Sequence, residues 1–215
     1  MKQIISLIGL AGIVLLGGCA VLKKPVPQTP VQFYIDKNLD FATIGKIAVL
    51  ELENESASSP ELGKTLTQTL ADTLGKKQLF SIRTVYRTDP EWKGCNLEQT
   101  QSLSSQEMEV IAKQLKVDAI LVGTITRYRP YPQLLTAIRF KMLDLHSGRL
   151  LWAMENVWDS TDKNTEERIK QFFETQMRTG YQPMNWQFVT NSPGAFQKFV
   201  MYEVVGTLPE SRMKH

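Results

Sequence analysis

Val117-Asp118-Ala119-Ile120-Leu121-Val122-Gly123-Thr124-Ile125 is the stretch on which the reading of the fold turns. Ala119 to Ile125 is a short apolar run and reads as a buried central strand. Gly123 interrupts it and is expected to stand where a side chain would collide with a neighbour. The polar Thr126-Arg127-Tyr128-Arg129 that follows is expected to project past the sheet.

Upstream of that strand, Ser104 and Glu107 have the spacing of a capping box. Met108, Ile111, Ala112 and Leu115 behind them form one helical stripe. Residues 86–103 read as a polar loop around Pro90, Gly94 and Cys95. Phe80 to Val85 reads as a strand. A further helix carries Leu62, Leu66, Leu70 and Leu74 at spacing four, with Ser58 or Ser59 as its cap, Pro60 in its first turn and Gly75 as its stop. Lys46 to Glu53 alternates as a strand through Ile47 and Val49.

Downstream, Leu134 to Leu145 and Leu150 to Trp158 are two strands joined by Asp144-Leu145-His146-Ser147-Gly148. Gly148 there supplies the positive φ of a tight hairpin. The order β-α-β-α-β-β-β implies parallel neighbours around the helices and an antiparallel pair at the end. The expected class is α/β (α+β), a mixed β-sheet with helices on one face. Extra C-terminal helices are expected at Glu166–Met177 and Gly194–Val205.

The first residues have a separate logic. One lysine, an apolar run of 13 residues from Ile4 to Leu16, then Gly17-Gly18-Cys19 make the three-part layout of an export signal. The run is too short for a bilayer span, which takes about 20 residues. Pro25, Pro27 and Pro30 follow in a segment expected to be an extended tether, averaging about 25 Å and reaching about 60 Å over some twenty residues. Phe33, Tyr34 and Ile35 are placed to dock back on the domain. The expected organisation is thus 1–18 signal peptide, 19–43 lipidated cysteine and tether, 44–160 mixed-sheet domain, and 161–215 helical extension.

Two resemblances add to this reading. Leu16-Gly17-Gly18-Cys19 resembles the bacterial lipobox, which implies that Cys19 takes a diacylglyceryl group, becomes the N-terminus after cleavage and is then acylated there. Ala20 stands where an aspartate would mark inner-membrane retention, so the outer membrane, periplasmic side, is the expected location. The second resemblance rests on Lys46-Ile47-Ala48-Val49-Leu50, Val117 to Thr124, and Asp144-Leu145-His146-Ser147-Gly148-Arg149-Leu150-Leu151-Trp152. Together, over about residues 44–160, these are similar to the envelope lipoprotein superfamily that includes the curli secretion protein CsgG, the lipoprotein activators of penicillin-binding proteins and the N-terminal domain of TolB. The chain has no long alternating insertion that would supply the membrane strands of a curli-type pore. Its C-terminal region, around Trp186, matches nothing in that family.

Chemistry-bearing residues are sparse. The only histidines are His146 and His215, too few for a metal cluster or a Ser/His/Asp triad. There is no P-loop and no dinucleotide turn. No catalytic residue, metal or cofactor is therefore expected, and no enzyme activity. Arg127, Tyr128, Arg129 and Tyr131 are the candidate partner-binding residues, because Arg and Tyr are enriched at binding hot spots. The formal net charge is +3, and removing Lys2 with the signal leaves 24 basic against 22 acidic side chains. That balance argues against nucleic acid. The expected function is a membrane-anchored, non-enzymatic accessory factor for an envelope protein in cell-wall synthesis, secretion or envelope assembly. The alternative is an oligomeric subunit of an outer-membrane export complex. The expected partners are the membrane, through the lipid, and an envelope protein, with self-assembly left open.

Overall fold

The apolar run at 119–125 opens the longest strand, β5 (Ala119–Arg129). The structure, a computed structural model, describes residues 31–56, 58–97, 103–180 and 183–210. Around β5 lie β1 (Phe33–Ile35), β2 (Lys46–Leu50), β3 (Glu53–Asn54), β4 (Ser81–Val85), β6 (Leu135–Asp144) and β7 (Leu150–Asp159). They form one mixed sheet in the order β1-β7-β6-β5-β2-β4, with β3 pairing β5 just beyond the end of β2. β2 runs parallel to both β4 and β5, whereas the β5-β6-β7-β1 half is antiparallel. The helices are α1 (Leu62–Lys77), α2 (Pro90–Gly94), α3 (Ser105–Leu115), α4 (Lys163–Phe172), α5 (Gln187–Asn191) and α6 (Pro193–Gly206).

The mixed sheet is as expected, but the helices do not share one face. The chain passes from β2 through α1 outward to β4, then returns through α3 across β2 to β5. Two right-handed crossovers in opposite directions place their helices on opposite faces. Alternation along β2 shows it: Ile47 and Val49 pack in one cluster with Leu66 and Leu70, while Ala48 and Leu50 pack in another with Ile111 and Leu115. The C-terminal helices join α1 on the inner face, where Ile169, Phe172, Phe199 and Val200 meet Trp152 and Trp158 of β7. A buried ion pair fastens them. Arg168 Nε donates to Glu203 Oε2 at 2.9 Å, and Glu203 also accepts from Trp158 Nε1 at 3.0 Å.

Other local expectations change for definable reasons. α1 runs past Gly75 to Lys77 and ends at Gln78, which takes φ 53° itself, and its cap residue is Glu61 rather than a serine. The polar stretch 86–103 contains α2 and buries Trp92, Cys95 and Leu97. Thr126 to Arg129 stay in the sheet, paired with β6 as far as Arg129↔Leu135, because polar side chains are tolerated on the wet face of an antiparallel pair. α4 begins at Lys163, capped by Asp162, and passes into a π turn at Phe173–Met177. In the segment read as tether, Phe33–Ile35 form an edge strand on β7.

Ser104 and Glu107 close the capping box, and Gly148 has φ +69°. A Cβ on Gly123 would lie 2.5 Å from the Phe140 ring, and one on Gly63 would lie 2.4 Å from the Leu52 carbonyl oxygen. Gly123→Ala and Gly63→Ala are each expected to cost about 1–3 kcal/mol through overpacking. Gly75→Ala, whose Cβ meets nothing within 4 Å, is expected to stabilise by up to about 1 kcal/mol through helix propensity. Urea melts of the three variants check this contrast.

Candidate interaction face

The two sides of β6 and β7 differ sharply. Ile138, Phe140, Met142, Trp152, Met154 and Trp158 are buried under the helices of the inner face. Alternation directs Arg139, Lys141, Ala153, Glu155 and Val157 to the outer face. α2 and α3 pack over β2, β4 and the first half of β5, and the rest of the outer face is partly exposed, with Ala137 buried between its neighbours. Val157 is 41 % exposed there and Tyr34 of β1 is 48 % exposed. The strand register lines these residues into rows: Tyr34, Ala153, Lys141 and Val122 in one, Glu155, Arg139, Thr124 and Glu53 in the next, then Val157, Ala137 and Arg127.

Where this face meets α2, a cavity of about 480 Å³ opens. Trp92 and Leu97 form one wall, Val122 and Leu143 the floor, and Arg139 and Lys141 part of the rim. Glu51 holds the wall in place by accepting the Arg87 backbone N–H at 2.9 Å, and the Arg87 guanidinium lies 4.8 Å from the Trp92 ring centre. Sequence reasoning missed this wall. Its signal was Asp89-Pro90-Glu91, an acid-Pro-acid helix start, in a helix too short to show periodicity. The face offers apolar contact between paired and unpaired charges, the mixture found where one protein surface meets another.

The four candidate binding residues do not share one surface. A bulge between Ile125 and Arg127 shifts the register of β5. Without it, alternation from the core residue Ile125 would turn Arg127 inward. The extra residue reverses the parity. Arg127 therefore points outward, while Tyr128 turns inward, half-buried against the core, and its hydroxyl accepts from Gln197 Nε2 of α6 at 3.1 Å. Burial pushes the Tyr128 hydroxyl pKa up, against the opposing effect of that hydrogen bond. Arg129 is tied down, its Nε donating to the Gln133 carbonyl at 2.8 Å and its guanidinium 3.6 Å from Asp159. Tyr131, at the turn, is 65 % exposed.

Leu16, Gly17, Gly18 and Cys19 lie outside the described residues, as does His215. His146 stands exposed in the β6–β7 hairpin with Nε2 3.7 Å from Asp118 Oδ1. Cys95 is buried, with Sγ 3.0 Å from Gln114 Oε1, and burial together with the Glu91 carboxylate pushes its thiol pKa up. Among the described residues, no helix is long and apolar enough to cross a membrane, and no group of three His, Cys, Asp or Glu side chains converges as a metal site.

No family model and no curated protein matches this chain. Solved structures match in part of the fold. A PelC dodecamer structure from Paraburkholderia phytofirmans aligns at 16 % identity over 63 % of this chain and 85 % of that one, with TM-score 0.44. The lipoprotein GNA1162 from Neisseria meningitidis aligns at 17 % identity over 55 % of this chain and 86 % of that one, with TM-score 0.42. The LpoB C-terminal domain from Escherichia coli aligns at 13 % identity over 55 % and 86 %, with TM-score 0.39. At these identities and scores they are partial likenesses of fold, and the functional argument rests on this chain's own residues.

The split of the Arg-Tyr segment has a measurable consequence. Tyr128→Ala is expected to destabilise the protein by about 1–3 kcal/mol, and Arg127→Ala to change stability by less than about 0.5 kcal/mol. Equal effects in urea melts would contradict the register shift.

Proposed function

We propose that this protein is a lipid-anchored, non-enzymatic accessory factor of the cell envelope that holds a protein partner against the outer face of its sheet. The observation that carries the reading is the unequal covering of the sheet. The C-terminal helices bury the inner face of β6 and β7, while the outer face presents Tyr34, Val157, Arg139, Lys141 and Glu155 to solvent. A sheet backed by a packed core is a rigid platform, so little order is lost when a partner docks on it. The lipobox at Leu16–Cys19 and the prolines behind it support an anchored domain on a spacer. Ala20 favours the outer membrane, with the domain in the periplasm.

The test is affinity purification from crosslinked envelopes, comparing wild type with a Lys141→Glu/Val157→Asp variant whose circular dichroism and urea melt match wild type. The expected outcome is a discrete envelope protein recovered with wild type and lost with the variant. Equal recovery would remove the outer face from the account. Recovery of the chain alone, in a ring-sized species, would replace this reading with that of an oligomeric export subunit.

A further inference from the structure

The geometry points to the end of the sheet where β5 finishes, with Arg127 on the strand and Tyr131 in the turn that follows, as the end of the domain that faces the membrane and rests on anionic lipid headgroups. The inference rests on the proposed anchor at Cys19 and adds an orientation to it. β1 is antiparallel to β7, with Phe33 opposite Met154 and Ile35 opposite Trp152. Its N-terminal end therefore points along β7 toward Asp159. That is the end where Asp159 pairs with Leu135 and Leu135 with Arg129. The β5–β6 and β7–α4 turns are also joined there, since Leu134 N donates to Ser160 Oγ at 3.0 Å and Ser160 N to the Leu134 carbonyl at 2.9 Å.

The direction of β1, more than the length of the tether, favours this end over the other. The segment from Cys19 to Val31 averages about 20 Å as flexible chain and spans about 40 Å fully extended. β5 is 11 residues long, about 36 Å at about 3.3 Å per residue, and Phe33 lies level with its middle, beside Met154, Phe140 and Gly123. To put the opposite end of the sheet on the bilayer, the tether would have to reverse the direction of β1 and run back about 20 Å past Phe33. To put the near end there, it need only continue in its own direction.

The near end has matching chemistry. Tyr131 is 65 % exposed between Pro130 and Pro132, and tyrosine favours the membrane–water boundary. Arg127 and Lys163 are exposed and have no carboxylate partner among the described residues. Asp159 is paired with Arg129, and Asp162 faces the first turn of α4, accepting the Thr165 N–H at 2.8 Å, which leaves Arg127 and Lys163 as the cations open to a headgroup. The outer sheet face then looks sideways, along the membrane, toward a partner standing beside the protein.

The experiment uses the lipidated full chain in vesicles of phosphatidylethanolamine and phosphatidylglycerol, with an environment-sensitive dye on Gln133→Cys or, separately, Ser147→Cys at the opposite end. Both are made in a Cys95→Ala background and checked by urea melt. The Gln133 dye is expected to shift to the blue, to be quenched by nitroxide lipids and to lose quenching by aqueous iodide. The Ser147 dye should show the reverse. Arg127→Glu with Lys163→Glu should return the Gln133 dye to water. A Gln133 dye that stays in water, or a Ser147 dye quenched from the lipid, overturns the orientation. Radiolabelled palmitate separates the two failures. If wild type takes up label and Cys19→Ser does not, the anchor stands whatever the dyes report. If wild type takes up none, anchor and orientation both fall.

Discussion

The carboxylate of Asp118 holds the centre of this fold. Its Oδ2 accepts the backbone N–H groups of Gly45 and Lys46, each at 2.9 Å, although the residues lie more than 70 positions apart in the chain. The Asp118 backbone completes the tie, its N–H donating to the Lys46 carbonyl at 2.8 Å and its carbonyl accepting from Leu145 at 2.9 Å. One residue thus sets β2 beside β5 and brings the end of β6 to the same point. Hydrogen bonds to a charged acceptor are roughly twice as strong as neutral ones. Two of them at the first residues of a parallel pair set a register that sequence-local forces cannot reach.

With β2 held between β4 and β5, the rest follows from handedness. The crossovers through α1 and α3 must fall on opposite faces, and α3 with α2 can cover only the parallel half of the outer face. The antiparallel half is covered on its inner side by helices fastened through Arg168, Glu203 and Trp158. What remains is an exposed half-face bordered by the Trp92 wall and, at one end, by the turn that follows Arg129. The proposed docking surface is thus a by-product of topology that the side chains have adapted. Apolar residues such as Val122 and Val157 alternate there with Arg139, Lys141 and Glu155.

Local features of this fold were legible in the sequence, and non-local ones were not. Ser104 and Glu107 announce a helix start because the interaction spans three residues. Gly123 and Gly148 announce a close approach and a left-handed turn because few other residues tolerate either. The strand order β4-β2-β5 leaves no local trace, so the distribution of helices over two faces could not be read. α2 is too short to show a period. The candidate site was half legible. Arg127 and Tyr131 are surface residues, but the bulge after Ile125 is a single extra residue that turns Tyr128 into the core, and no pattern of residue types in Ile125-Thr126-Arg127-Tyr128 reports it. The outer face itself went unread because its residues interleave with core residues on three strands and come together only through the register.

The most direct test of the central claim is site-specific photocrosslinking in growing cells, with a photoreactive residue placed at Lys141 on the open half-face or at Gln106 on the exposed side of α3. The account predicts one discrete crosslinked envelope protein from position 141 and none from position 106. Crosslinks from 106 alone, or the same product from both positions, would contradict it.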